Sequence, residues 1–260
     1  MSGARFLVVL RSNLKVFVRN PAALFFTAIL PVVFLVLFVS IFGDARSTQF
    51  GVKVATLQVP AFIALAVVSA SFVGLAIGLT SVREDGVLKR IRATPVAPWV
   101  VFAGRISTAI VTAIIVTAIL IAIGALAFGV SVPTHTLPGL ISALVLGATT
   151  FCALGIAYTR LIPGIEAAPA MTNAVVLPLY FISGVFVPTD QLHNLPGFLR
   201  FLADALPVKP FVDALLKAFN PHTTGAGLAG EDLAILAAWG VIGLLLAVRF
   251  FVWTPRHQAG

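Results

Sequence analysis

The sequence predicts an all-α polytopic membrane protein: six transmembrane helices, an N-terminal amphipathic interfacial helix, and short external amphipathic helices between spans five and six. Three observations predict it. Of the 260 residues, 60% are hydrophobic and 10% charged, where soluble domains carry roughly a quarter charged, and the mean hydropathy is +1.09. The charges also cluster between long apolar runs. That follows from the cost of an ionised side chain at mid-bilayer, about 2.5–3.5 kcal/mol on insertion scales. Finally, six spans sort the basic residues unequally. Arg5, Arg11, Lys15, Arg19, Arg83, Lys89, Arg90, Arg92, Arg105, Arg160, Arg249 and Arg256 fall on the side of both termini, and Arg46, Lys53, Arg200, Lys209 and Lys217 on the other. The side richer in Lys and Arg is the cytoplasmic one.

The chain reads as one domain, 1–260. Residues 4–19 form a helix too charged to span. At about 100° per residue Arg5, Arg11, Ser12, Lys15 and Arg19 share one face and Phe6, Val9, Leu10, Leu14, Val16 and Phe17 the other, the pattern of a helix lying in the interface. Asn20-Pro21 ends it. Span one covers about 22–42, with Pro31 predicting a kink, and a polar loop runs to Gln58. Span two covers about 59–82 and holds Gly74-x-x-x-Gly78, a spacing that admits a close helix neighbour.

A dense charged segment, 83–95, follows. Pro98 suits the first turn of span three, about 99–128. Span four is about 139–158 and span five about 169–187. The external segment 188–232 carries Leu192, Leu195, Leu199, Leu202 and Leu206 at helical spacing, read as short helices resting on or dipping into the outer leaflet. Span six is about 233–253.

Several functions are excluded. The net charge of +8 is explained by topology and does not form the basic face of a nucleic-acid binder. Cys152 is the sole cysteine, so no intrachain disulfide forms. No cleavable signal is expected, because Arg11, Lys15 and Arg19 interrupt the first apolar block. The chain lacks a P-loop, a nucleophile elbow and metal-ligand spacing among its four histidines, so no catalytic or metal site is expected. No carboxylate falls within an assigned span, whereas ion-driven carriers normally keep one there. If the protein moves a cargo uphill, the energy enters from outside the bilayer. The alternatives are a carrier coupled to sodium through broken helices, or a membrane scaffold.

Two stretches carry a resemblance. Arg83-Glu84-Asp85-Gly86-Val87-Leu88-Lys89-Arg90-Ile91-Arg92-Ala93-Thr94-Pro95 resembles the first coupling segment of the type-2 family of ABC exporter permeases. Leu177 to Pro188, followed by Leu195-Pro196, Leu206-Pro207 and Pro210, resembles that family's fifth span and external re-entrant helices. Within the family the sequence looks most like the daunorubicin-type drug-resistance permeases; polysaccharide and teichoic-acid exporters share the plan.

The resemblance implies a transport subunit that hydrolyses nothing itself. It implies a bacterial inner-membrane location, pairing with a second identical or homologous permease, and cytosolic ATPase subunits that hold the ATP and Mg. Arg83, Glu84, Asp85, Gly86, Leu88, Lys89 and Arg90 are then the residues expected to couple to the ATPase, together with Arg11, Lys15 and Arg19 of the interfacial helix. Read from the residues themselves, Gly86 allows a sharp bend or simply marks a helix start, and Glu84 and Asp85 suit a basic groove or a solvated charge run. Polar residues of spans two and five, Ser69, Ser71, Thr80, Thr172, Asn173, Tyr180 and Ser183, are candidates for the substrate path. A few hydroxyls among many Phe, Leu and Val side chains suit an amphipathic or lipid-like cargo, although each singly is more often a helix-packing hydrogen bond.

Overall fold

A computed structural model of the protein describes residues 21–42, 45–47, 51–88, 98–187 and 196–251. The predicted interfacial helix, 4–19, therefore lies outside the described residues, as do Lys89 and Arg90. Eight helices are numbered here: α1 (Phe25–Phe42), α2 (Val54–Glu84), α3 (Pro98–Phe128), α4 (Leu137–Tyr158), α5 (Ala168–Ile182), α6 (Gly197–Ala205), α7 (Val208–Phe219) and α8 (Gly230–Phe250). A helical turn, Pro21–Leu24, precedes α1. Among the described residues the fold is all-helical, with an isolated bridge between Arg46 and Lys53.

Five of these helices, α1, α2, α3, α4 and α8, are long and apolar enough to cross a membrane. The sixth apolar helix, α5, has 15 residues, about 22 Å at 1.5 Å per residue. Span five was expected to reach residue 187, but the helix stops at Ile182. Ser183 leaves helical geometry and Gly184 takes φ 84°, the left-handed region that favours glycine. The apolar run continues into Val185, which is fully buried outside any helix. Hydropathy scores burial in protein and in lipid alike, so it overshoots the helix end.

α2 is the centre of the bundle. Nearly every side chain from Ala55 to Val68 is buried, the pattern of a helix that is apolar on all faces. It begins at Val54, five residues before the expected Val59, because Ala55, Thr56 and Gln58 are drawn into the bundle instead of forming a polar loop. Two π-helical turns interrupt the long helices, Phe25–Ile29 in α1 and Ser69–Gly74 in α2. The first directly precedes Leu30-Pro31, and a widened turn accommodates a proline that has no N–H to donate and whose ring crowds the carbonyl four residues back.

α4 and α8 make the most extensive helix pair, and small residues explain the approach. A Cβ placed on Gly240 would lie 2.9 Å from Thr150 Oγ1, and one on Gly243 2.9 Å from the Leu154 backbone nitrogen. The Thr150 hydroxyl also donates to the Leu236 carbonyl at 3.0 Å. Between α5 and α8 the two short helices differ. α6 buries Ala203 alone, whereas α7 packs among α2, α4, α5 and α8 with Phe211 and Leu215 fully buried. α7 is thus a core element, with its Phe211 ring edge-on to Phe151 at 5.5 Å.

Candidate functional site

The charged segment after α2 is a clamp before it is a surface. Arg83 sits in the last turn of α2 and is 2% exposed, the largest side chain buried to that degree among the described residues. Its guanidinium is spent on fixed partners. Nε donates to Glu84 Oε1 at 2.8 Å, Nη1 to the Thr159 carbonyl at 2.9 Å, and Nη2 to the carbonyls of Ile162 at 2.9 Å and Pro163 at 3.5 Å. A buried cation is tolerated only when paired and hydrogen-bonded, and this one is both. Arg83, expected to meet an ATPase, is turned inward instead. Its neighbourhood to Glu84 and Asp85 made it read as part of a solvated run.

The turn beyond it is exposed. Asp85 and Val87 face solvent, and Gly86 adopts φ 68° with nothing within 4 Å of the position a Cβ would take. Its N–H donates to the Arg83 carbonyl at 3.0 Å, and that of Asp85 to the Ser81 carbonyl at 2.9 Å. Leu88, also expected to couple, is fully buried and anchors the far side of the turn. Arg105 of α3 approaches the same end. A Cβ on Gly78 would lie 3.0 Å from Arg105 Nη1, so Gly78 makes room for a cation, while Gly74 meets only its own helix at the Ser69 carbonyl.

The candidate path residues divide. Ser69 and Tyr180 come together: their hydroxyls are 3.2 Å apart, and Tyr180 also donates to the Leu65 carbonyl at 3.3 Å. Ser71 is buried beside the Cys152 thiol, and Ser183 is buried with a side-chain oxygen that has no hydrogen-bond partner among the described residues. Asn173 is exposed and donates to the Pro169 carbonyl at 2.9 Å. Thr80 and Thr172 donate within their own helices, to Ala76 and Ala168 at 2.8 Å.

None of these seven lines a half-open cavity of about 460 Å³ between α2, α4, α5, α8 and the start of α7. Its wall includes Val68 and Phe72 of α2, Phe151 and Leu154 of α4, Val176 and Leu179 of α5, and Trp239 and Leu246 of α8, and Arg160 also lines it. Sequence reasoning sought polar residues and so passed over an apolar site. Periodicity was the available signal, because Val68 with Phe72 and Phe151 with Leu154 recur at helical spacing. Among the described residues, no group of three or more His, Cys, Asp or Glu gathers to hold a metal.

A family model described as ABC-2 type transporter matches residues 4–220. No curated protein matches the chain. The match covers most of the sequence, including the α2–α3 connection, the cavity elements α4 and α5, and α7. The family is one of multi-pass transport subunits that associate with an ATP-binding-cassette partner, and the long apolar helices agree with it. The chain belongs to the ABC-2 type transporter family.

Proposed function

We propose that the chain is the permease subunit of an ATP-driven exporter of the drug-resistance kind, moving a hydrophobic or amphipathic, drug-like or lipid-like substrate outward. The cavity is the observation that carries this reading. Its wall is largely aliphatic and aromatic, which suits a molecule with a predominantly apolar body. A strongly hydroxylated glycan would find few partners on it.

α5 and the buried segment after it serve as the fifth of six crossings, and both termini lie on the cytoplasmic side in a bacterial inner membrane. The N-terminal segment with Arg11, Lys15 and Arg19, and the charged stretch with Glu84, Asp85, Gly86, Lys89 and Arg90, receive two cytosolic ATPase subunits. Those subunits bind the ATP and Mg, and two permeases pair above them. Closure of the ATPases on ATP moves the turn and opens the bundle outward.

Purification of a tagged permease from its native host tests the partner, and about one cytosolic ATPase per permease is expected. The reconstituted assembly then tests the cargo. Amphipathic compounds should stimulate ATP hydrolysis, and Leu154→Trp or Val176→Trp, which fill the cavity, should abolish the stimulation. Accumulation of cargo by the permease alone in nucleotide-free vesicles would rule the reading out.

A further inference from the structure

We propose that Arg83 is a positioning residue that makes the end of α2 and the α4–α5 connection one rigid lever, so that force on the Asp85–Val87 turn is delivered to α5. The proposal rests on the exporter reading for the origin of the force, but the lever itself is a property of this chain.

Three attachments build it. The guanidinium of Arg83 reaches the carbonyls of Thr159, Ile162 and Pro163, all in the nine-residue connection 159–167 between α4 and α5. A planar fork of fixed donors holds two carbonyls on different residues at once, which a single ammonium does less well. Glu84 fixes the third edge of that fork at 2.8 Å. Beneath it, Ile162 is fully buried against Ala76 of α2 and Ala168, the first residue of α5. The connection is thus held to α2 by polar and apolar contacts together.

The output side is equally short. Ala168 donates to the Ile165 carbonyl at 3.3 Å and Met171 to the Ala167 carbonyl at 3.0 Å, so the connection passes into α5 without slack. The Tyr158 hydroxyl donates to the Met171 carbonyl at 2.9 Å and keeps the end of α4 on α5. On the input side, the turn closes onto the Arg83 carbonyl through Gly86 and is pinned by buried Leu88. A displacement of Val87 therefore reaches Ile162, and through it the start of α5, which contributes Val175, Val176 and Leu179 to the cavity wall.

Spin labels test this in nanodiscs, with Cys152→Ala removing the sole native thiol. Labels replacing Val87 and Leu161, both exposed, report the lever; labels replacing Leu161 and Leu245, the latter exposed on α8, report motion of the connection against the bundle. In the otherwise wild-type permease the first distance should be narrow without nucleotide and unchanged when the partner ATPase traps ATP, while the second shifts. Arg83→Gln should broaden the first and abolish the shift in the second. Arg83→Lys, which keeps the charge opposite Glu84, carries the same test if Arg83→Gln fails to insert, and restores only part of the shift. A Val87–Leu161 distance that changes on ATP binding, or stays narrow without Arg83, overturns the proposal. The nucleotide-free measurement needs no ATPase, so failure of an ATPase to engage counts against the exporter reading and leaves the lever tested.

Discussion

The hydroxyl of Tyr180 lies 3.2 Å from that of Ser69, joining α5 to the π-helical turn of α2. Tyr180 is 3% exposed and also donates to the Leu65 carbonyl at 3.3 Å, so its polar tip is satisfied inside an apolar bundle. Tyr180→Phe removes both hydrogen bonds and keeps the ring against Phe186 at 5.9 Å. Side-chain hydrogen bonds between membrane helices are worth about 0.6–1.7 kcal/mol, so the melting temperature should fall by about 2–4 °C for each kcal/mol lost. Tyr180→Ala also opens a cavity and should cost about 3–5 kcal/mol. A thermal melt in detergent separates the two, and equal losses would show that the hydroxyl, not the ring, holds α5 in place.

Gly86 makes a prediction of a different kind. Its φ of 68° meets no neighbour within 4 Å, so a substitution there is opposed by backbone conformation rather than by a clash. The left-handed region costs most residues about 1–2 kcal/mol, and Asn less. Gly86→Val should therefore lower ATP-driven transport while membrane insertion stays intact, and Gly86→Asn should retain most of it. Equal loss in both, measured in reconstituted vesicles, would mean that a partner needs the missing side chain rather than the turn.

Much of the fold was legible because charge and proline mark the ends of apolar runs. Pro98 opens α3 and Tyr158 closes α4, where the hydropathy pattern put them. Less legible was anything that depends on backbone groups far along the chain. Arg83 sits in a charged run, yet its burial is set by carbonyls of residues 159, 162 and 163, and a carbonyl carries no residue identity to read. The end of α5 was missed because Val185 is as apolar as a span residue while buried against protein. The widened turn at Ser69–Gly74 leaves no compositional trace either. The cavity was missed because polar residues were sought where the lining is apolar.

Gly147 and Phe211 test whether α7 belongs to the core. A Cβ on Gly147 would lie 2.7 Å from Phe211 Cδ2, so the ring rests directly on the α4 backbone. Gly147→Ala forces that fully buried ring aside, an overpacking cost of about 1–3 kcal/mol. Adding Phe211→Leu should recover part of the loss, because the smaller side chain frees the space. A double variant no more stable than the sum of the two single changes, by thermal melts of all four proteins, would show that α7 yields easily and is not held by this contact.

The Lys209 ammonium bridges Asp204, at the end of α6, and Asp213, one turn along α7, each at 2.9 Å. Burial alone would lower the pKa of Lys209, but the two carboxylates together outweigh it and leave it above the ordinary 10.5. Asp213 moves above its ordinary 3.8 because burial outweighs the attraction of Lys209. The signs follow from linkage. A lysine raised in the folded state contributes stability that is fully present below its unfolded value and is lost as pH rises through the folded one. A raised carboxyl binds its proton more readily when folded, so acid relieves the burial of Asp213. Lys209→Met leaves Asp213 without its cation, and its deficit against wild type should be largest near neutral pH. The deficit should shrink in acid as Asp213 protonates, and in alkali as the wild-type lysine loses its charge above about 10.5. Partial exposure of the pair keeps the effect small through screening, and added salt should reduce it further. Melting temperatures of both proteins across pH give the comparison, and a difference that stays level from acid to alkali would show that Lys209 acts through its aliphatic stem and not its charge.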